Sequence, residues 1–203
     1  MTTASYEDLV ESASRLAETD ALADLDEGEI SDAASLVERN RLVLDSVRHI
    51  LGQRCSVPVR YERSFFSGHS DDFQHLRNLA HAFRVEAFLA ASSEDYAAAA
   101  LIGVDVLELA NAARRGGLVV DLLVGNAISG IATEALRKIR LKVNDNTRLS
   151  LGGALQRLEN EREPFADIYA RDQAWVRAVG FEDEPCDFTA QELKLAAALK
   201  QLA

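Results

Sequence analysis

Only three prolines interrupt the 203 residues, at Pro58, Pro164 and Pro185. Proline fixes φ and removes a backbone donor, so its scarcity leaves long uninterrupted helices open to most of the chain. Cysteine is scarcer still. Cys55 and Cys186 are the only two, and without CxxC spacing they form no metal or redox motif. They read as two unpaired thiols in a reducing compartment. Alternating β-branched runs are missing, which removes the signature of strands. Basic residues are outnumbered, 22 against 33 acidic, for a formal net charge of -11. That balance argues against nucleic acid and anionic membrane as partners, since both require concentrated positive charge. The opening MTTASYEDLVESA has neither a basic n-region nor an apolar h-region, so the cytoplasm is the expected compartment.

What is abundant is apolar surface with helical spacing. Hydrophobic residues make up 48% of the chain, enough for a sizeable core and against disorder. The length suits one domain. Residues 117–143, GLVVDLLVGNAISGIATEALRKIRLKV, are apolar on nearly every side. A helix hydrophobic all round belongs at the centre of a bundle or in a membrane. Asp121, Asn126 and Glu134 interrupt the run and favour the bundle, because a spanning helix tolerates few charges. Gly125, Ser129 and Thr133 recur every four residues, a strip of small side chains that lets a neighbouring helix come close.

The other helices follow from apolar stripes and caps. A first covers 5–18, with Ser5 and Asp8 as a capping box. The acidic stretch 21–29 reads as a connection. A second helix covers 32–52, capped by Ser31 and ended by Gly52. The segment 53–70 reads as irregular but too apolar to be a free linker, so it is expected to pack along the bundle. A third helix, capped by Ser70, covers 71–92. A fourth, opened by Ser92 and Asp95, covers 94–114, with Arg114 and Arg115 in a last turn where the helix dipole favours cations. Gly116 and Gly117 stop it. The short connections make helices three and four, and four and five, antiparallel hairpins. A sixth helix starts at Ser150. Pro164 either kinks it or begins a seventh that carries Trp175 in the core and ends at Gly180. If the chain breaks at Pro164, Glu161, Arg162, Glu163 and Asp172 are capping and surface groups; if the helix runs through, Glu161 and Asp172 face inward and need partners. Thr189 and Glu192 open a last helix over 190–202. The expected architecture is one all-α domain over 1–203, with about seven to eight helices around 117–143. Its core spans 30–180, and 1–29 and 181–203 are peripheral helices.

Residues 80–116 resemble a tetratricopeptide-type helix pair. The resemblance rests on alanines late in the first helix, a short turn, and Asp95-Tyr96 followed by Ala98 and Ala99. There is no second copy at a 34-residue period and no closing proline. The resemblance implies a stack of helical hairpins and a protein-binding role, and it brings no catalytic residues.

Chemistry-bearing residues are few. His69, Asp71, Asp72 and His75 lie close in sequence, with His81 and Glu86 further on. But His75 and His81 stand about 240° apart round a helix, and no HExxH or Glu-xx-His pair occurs. Neither metal nor cofactor is expected, and His69 reads as a surface histidine beside a capping residue. A GxSxG elbow is absent, and the glycine pairs 116–117 and 152–153 are not followed by the Lys of a P-loop. The candidate ligand residues are polar groups on the apolar helices. Asp121 and Glu134 need partners if buried. Arg77 and Arg84, seven apart on one face, would serve, as would Arg137 and Lys138. With Asn126, Asp105 and Asn111 they would make a polar pocket between helices three, four and five. The alternative is a structural ion pair or a helix end reaching solvent. Three functions fit: a non-enzymatic scaffold that binds a protein partner, a small-ligand binder or helical enzyme built on these carboxylates and arginines, and a self-associating homodimer.

Overall fold

A computed structural model describes residues 5–19 and 30–180. The expected connection 21–29 and the expected helix 190–202 lie outside these residues, as does Cys186. Within them the protein is all-helical, with seven helices and no strand. In chain order these are α1 (Tyr6–Ser14), α2 (Ile30–Leu51), α3 (Arg63–Ser92), α4 (Tyr96–Arg114), α5 (Val119–Ile139), α6 (Asp145–Asn160) and α7 (Phe165–Val179).

Local chemistry sets most boundaries. Ser5 and Asp8 form the reciprocal box that starts α1, satisfying two of the donors a helix N-terminus leaves open. Asp95 accepts the Ala98 N–H at 2.9 Å and starts α4. Asn144 accepts the Thr147 N–H at 2.9 Å and caps α6 six residues before the expected cap Ser150. Pro164 precedes α7, so the chain does break there. Gly180, at φ 75°, ends α7 in the left-handed region that glycine adopts without a Cβ penalty.

The third helix departs most from expectation. It begins at Arg63, not near 71, and Ser70 sits inside it with its hydroxyl donating to the Ser67 carbonyl. Phe65, His69 and Phe73 recur every four residues and continue into Leu76, so the stripe runs straight through the supposed cap. What remains irregular before Arg63 packs down as expected. Cys55 and Val57 are buried, Val57 N–H donates to the Arg115 carbonyl at 2.8 Å, and the Trp175 indole donates to the Arg60 carbonyl at 2.9 Å.

The expectation that 117–143 lies at the centre is not what the packing shows. Twelve of the 19 residues of α4 are buried, against six of the 21 in α5. α4 packs against α2, α3, α5 and α6; α5 packs against α3, α4 and α7, and keeps an outer face. Both helices are long and apolar enough, by length and composition alone, to cross a membrane, so composition did not separate them. Small residues set their closeness. A Cβ on Gly125 would stand 2.7 Å from the Ala110 carbonyl, and one on Gly103 would stand 2.6 Å from the Leu136 side chain. Rising residue numbers on α5 meet falling ones on α4, so the pair is antiparallel. Gly130, by contrast, faces open space.

Candidate functional site

Asp121 is fully buried in the first turn of α5. Its Oδ2 accepts the Leu118 N–H at 2.7 Å, and its Oδ1 lies 2.6 Å from Nε2 of His69. The other ring nitrogen of His69, Nδ1, lies 2.8 Å from Oδ2 of Asp72. An imidazole between two carboxylates donates from both nitrogens only as the cation. Burial pulls the His69 pKa down, but hydrogen bonds and charge from Asp121 and Asp72 outweigh it and raise it to about 9. Aromatic rings close over the group. Phe65 stacks on His69 with centroids 4.7 Å apart, Phe73 meets it edge-on at 4.8 Å, and Tyr6 lies at 5.8 Å. Burial, followed by the Asp121 and Asp72 charges, pushes the Tyr6 phenol far up, so it stays protonated.

The surface histidine expected at 69 is therefore a buried one, and the expected arginine partners of Asp121 are replaced by His69. Both ring nitrogens are committed to carboxylates, which leaves no lone pair for a metal. Among the described residues no group of three or more His, Cys, Asp or Glu could hold a metal ion. Neither cavity described below is lined by His69 or Asp121. The arrangement ties α3 to the start of α5.

The turn before α5 is held by a second set of contacts. Gly116, at φ 72°, donates its N–H to Glu163 at 2.8 Å. Arg171 donates to the Gly117 carbonyl at 2.6 Å and also pairs with Glu163. Asp172 accepts the Val119 N–H at 3.1 Å. Glu163 and Asp172, expected as capping and surface groups if the chain breaks at Pro164, accept backbone N–H groups of the α4–α5 turn and of the first residue of α5.

The remaining candidates do not share one site. Asp105 pairs with Arg48 at 2.9 Å, in a cluster where Arg48 also meets Glu86 and Asp45 and lies over the Phe83 ring. Glu134 is exposed and pairs with Lys138 at 3.4 Å. It stands at the far end of α5 from Asp121. Arg77 is exposed, and Arg84 is half-buried on a shallow apolar groove floored by Ala87, Ala91 and Ala99, with Glu134 and Lys138 on the same rim. Asn126 accepts from Arg114 at 3.4 Å, beside Asn111, in a cavity between α4, α5 and α6. Arg114 is the helix-end cation expected in the last turn of α4, and it is also buried, which its sequence position does not show. The spacing Phe65–His69–Phe73 was the one signal that could have exposed His69; nothing local marks Arg114.

Comparison with known proteins finds no family model, no curated protein and no solved structure that matches the chain.

Proposed function

We propose that this protein is a non-enzymatic helical scaffold that acts by protein contact, with the outer face of α5 as its interface and a second copy of the chain as occupant. One observation carries the reading: α5 is an apolar helix with only six buried residues. Its uncovered stripe runs through Leu123, Ala127, Gly130, Glu134 and Arg137, one per helical turn. Small residues at its middle leave room for a facing helix. Beyond it, Leu141 is 84% exposed among Arg137, Lys138, Arg140 and Lys142, all exposed. That basic run stands out on a chain of net charge -11, and the acidic remainder of a second copy offers its complement. The tetratricopeptide-like reading of α3 and α4 belongs to the same proposal. It is supported by their three-residue connection and by the alanines of the groove beside them.

Sedimentation velocity across a wide concentration range tests it. We expect a dimer at low ionic strength that weakens as salt screens the basic run, and a monomer for Ala127→Glu. A wild-type chain that stays monomeric at the highest concentration and lowest salt would remove the reading.

A further inference from the structure

Arg114 closes α4 with its guanidinium inside the protein. The residue is 8% exposed. Its Nη2 donates to the Asn111 side-chain oxygen and its Nη1 to that of Asn126 at 3.4 Å. Its Nε is buried and has no hydrogen-bond partner. Every partner is a neutral amide; among the described residues no carboxylate comes within ion-pair distance of Arg114. Arginine stays charged in proteins, and buried charges are ordinarily paired. Here desolvation by burial, helped by the nearby Arg162 charge, lowers the pKa to about 10 despite the opposing pull of Glu159. The α4 C-terminal dipole offsets part of the cost, but a dipole does not occupy the unused N–H groups.

The guanidinium lines a cavity of about 220 Å³ between α4, α5 and α6. The cavity wall supplies further donors: Asn126, the Ser129 hydroxyl, and Arg162 at the rim. The same wall is apolar on its other side, where Leu107, Leu155 and Leu158 lie. Only one carboxylate, Glu159, reaches the rim, where it sits 3.8 Å from Arg162. Its side chain is 68% exposed, so its charge is largely screened by solvent.

From this geometry we infer that the cavity is a binding site for a small organic acid, whose carboxylate pairs with the guanidinium groups of Arg114 and Arg162 that line it while its apolar body lies on the three leucines. A planar fork of donors matches a carboxylate better than a point charge does. The combination of an apolar wall and a few convergent donors is what small-molecule sites present. The site is independent of the α5 face and stands or falls apart from the scaffold reading.

Thermal midpoints at fixed ionic strength test it, with acetate, butyrate and phosphate as probes and chloride as the control salt. A ligand well above its dissociation constant raises the midpoint of a domain this size by several degrees. We expect butyrate to shift it most, acetate less, and both shifts to vanish in Arg114→Leu. Arg162→Gln, an exposed change that leaves the fold alone, should weaken the butyrate response several-fold. Ser129→Phe, which fills the cavity while keeping Arg114, should abolish it, and this variant decides the matter if Arg114→Leu does not fold. A butyrate shift no larger than that of chloride, or one of equal size in Arg114→Leu or Ser129→Phe, overturns the proposal. So does phosphate acting as strongly as butyrate, since the apolar wall would then have no part.

Discussion

Asp121 and Arg114 are both charged, both buried, and both sit at the α4–α5 turn, yet they are kept inside on opposite terms. Asp121 has every oxygen engaged: one on the Leu118 N–H, the other on a histidine cation that a second carboxylate also holds. Arg114 has two neutral amides and an orphan Nε. A saturated charge is a structural tie, because removing either partner strands the other. An unsaturated charge lining a cavity is a receptor, because its cost is recovered when something of opposite sign arrives. The contrast is what assigns one group to holding the fold and the other to binding.

The hardest way to break the comparison is at the tie. Asp121→Ala removes the cap of α5 and strands Nε2 of His69, leaving Asp72 as the one carboxylate on the ring. Losing one member of a buried pair costs about 3–5 kcal/mol, which urea denaturation should read as a large fall in midpoint with little change in slope. The same deletion of charge at Arg114 should behave differently, and that asymmetry is the point of making both variants.

The next largest effect comes from pH. The folded His69 pKa, about 9, lies above the ordinary 6.5. The folded state therefore holds a proton that the unfolded state releases first. The resulting stability is fully present below pH 6.5 and is lost as pH rises through 9; a shift of this size corresponds to about 3 kcal/mol. Phe65, Phe73 and Tyr6 face the ring, and the titratable groups around it are Asp72, Asp121 and Tyr6. Tyr6 and Cys55, both raised by burial, add losses only at still higher pH. His81 is lowered, by burial and then by Arg84 and Arg77, so it acts below 6.5 with the opposite slope. Denaturation between pH 6.5 and 9 thus isolates His69, and Asp72→Asn should flatten that window.

Arg114→Leu sharpens the comparison from the other side. Replacing a poorly paired buried charge with an apolar side chain is expected to leave stability unchanged or to raise it by about 1 kcal/mol. A loss of the size expected for Asp121→Ala would mean that Arg114 is a structural tie as well. Smallest of all is Ala127→Glu on the open face of α5, where a surface change should move stability by no more than about 0.5 kcal/mol. Its effect should appear in the sedimentation coefficient alone.

Parts of this were legible in advance. Caps are local, so Ser5 with Asp8 and Gly180 could be placed from their neighbours, whereas Asp95, expected as the partner of a Ser92 cap, is itself the cap of α4, and Ser92 ends α3. Apolar periodicity is local too, and it made the chain helical without ambiguity. The same local reading cut α3 short, because Ser70 looks like a cap; Ser70 and Gly68 are tolerated on an exposed helix face, where Gly68 meets nothing within 4 Å. Asp121 was singled out correctly as a buried carboxylate in need of a partner, but the partner lies 52 residues away. An arginine seven residues along one helix is no better a guess than a histidine at the seam of two.

What the sequence determined by itself was therefore what depends on neighbours within a turn or two: helix content and most helix ends, whereas at Pro164 it left a kink and a break equally open and the structure chose the break. Tertiary structure alone decided which of two equally apolar helices went to the centre. Four helices surround α4, whereas α5 is covered by α3, α4 and α7 and keeps a bare face. It also decided the fate of each buried charge. Gly125 lets α5 come within contact of the Ala110 backbone and of the Arg114 side chain, and that approach shuts an ordinary helix-end arginine away from water. No local pattern encodes it, because burial is a property of what arrives from elsewhere in the chain.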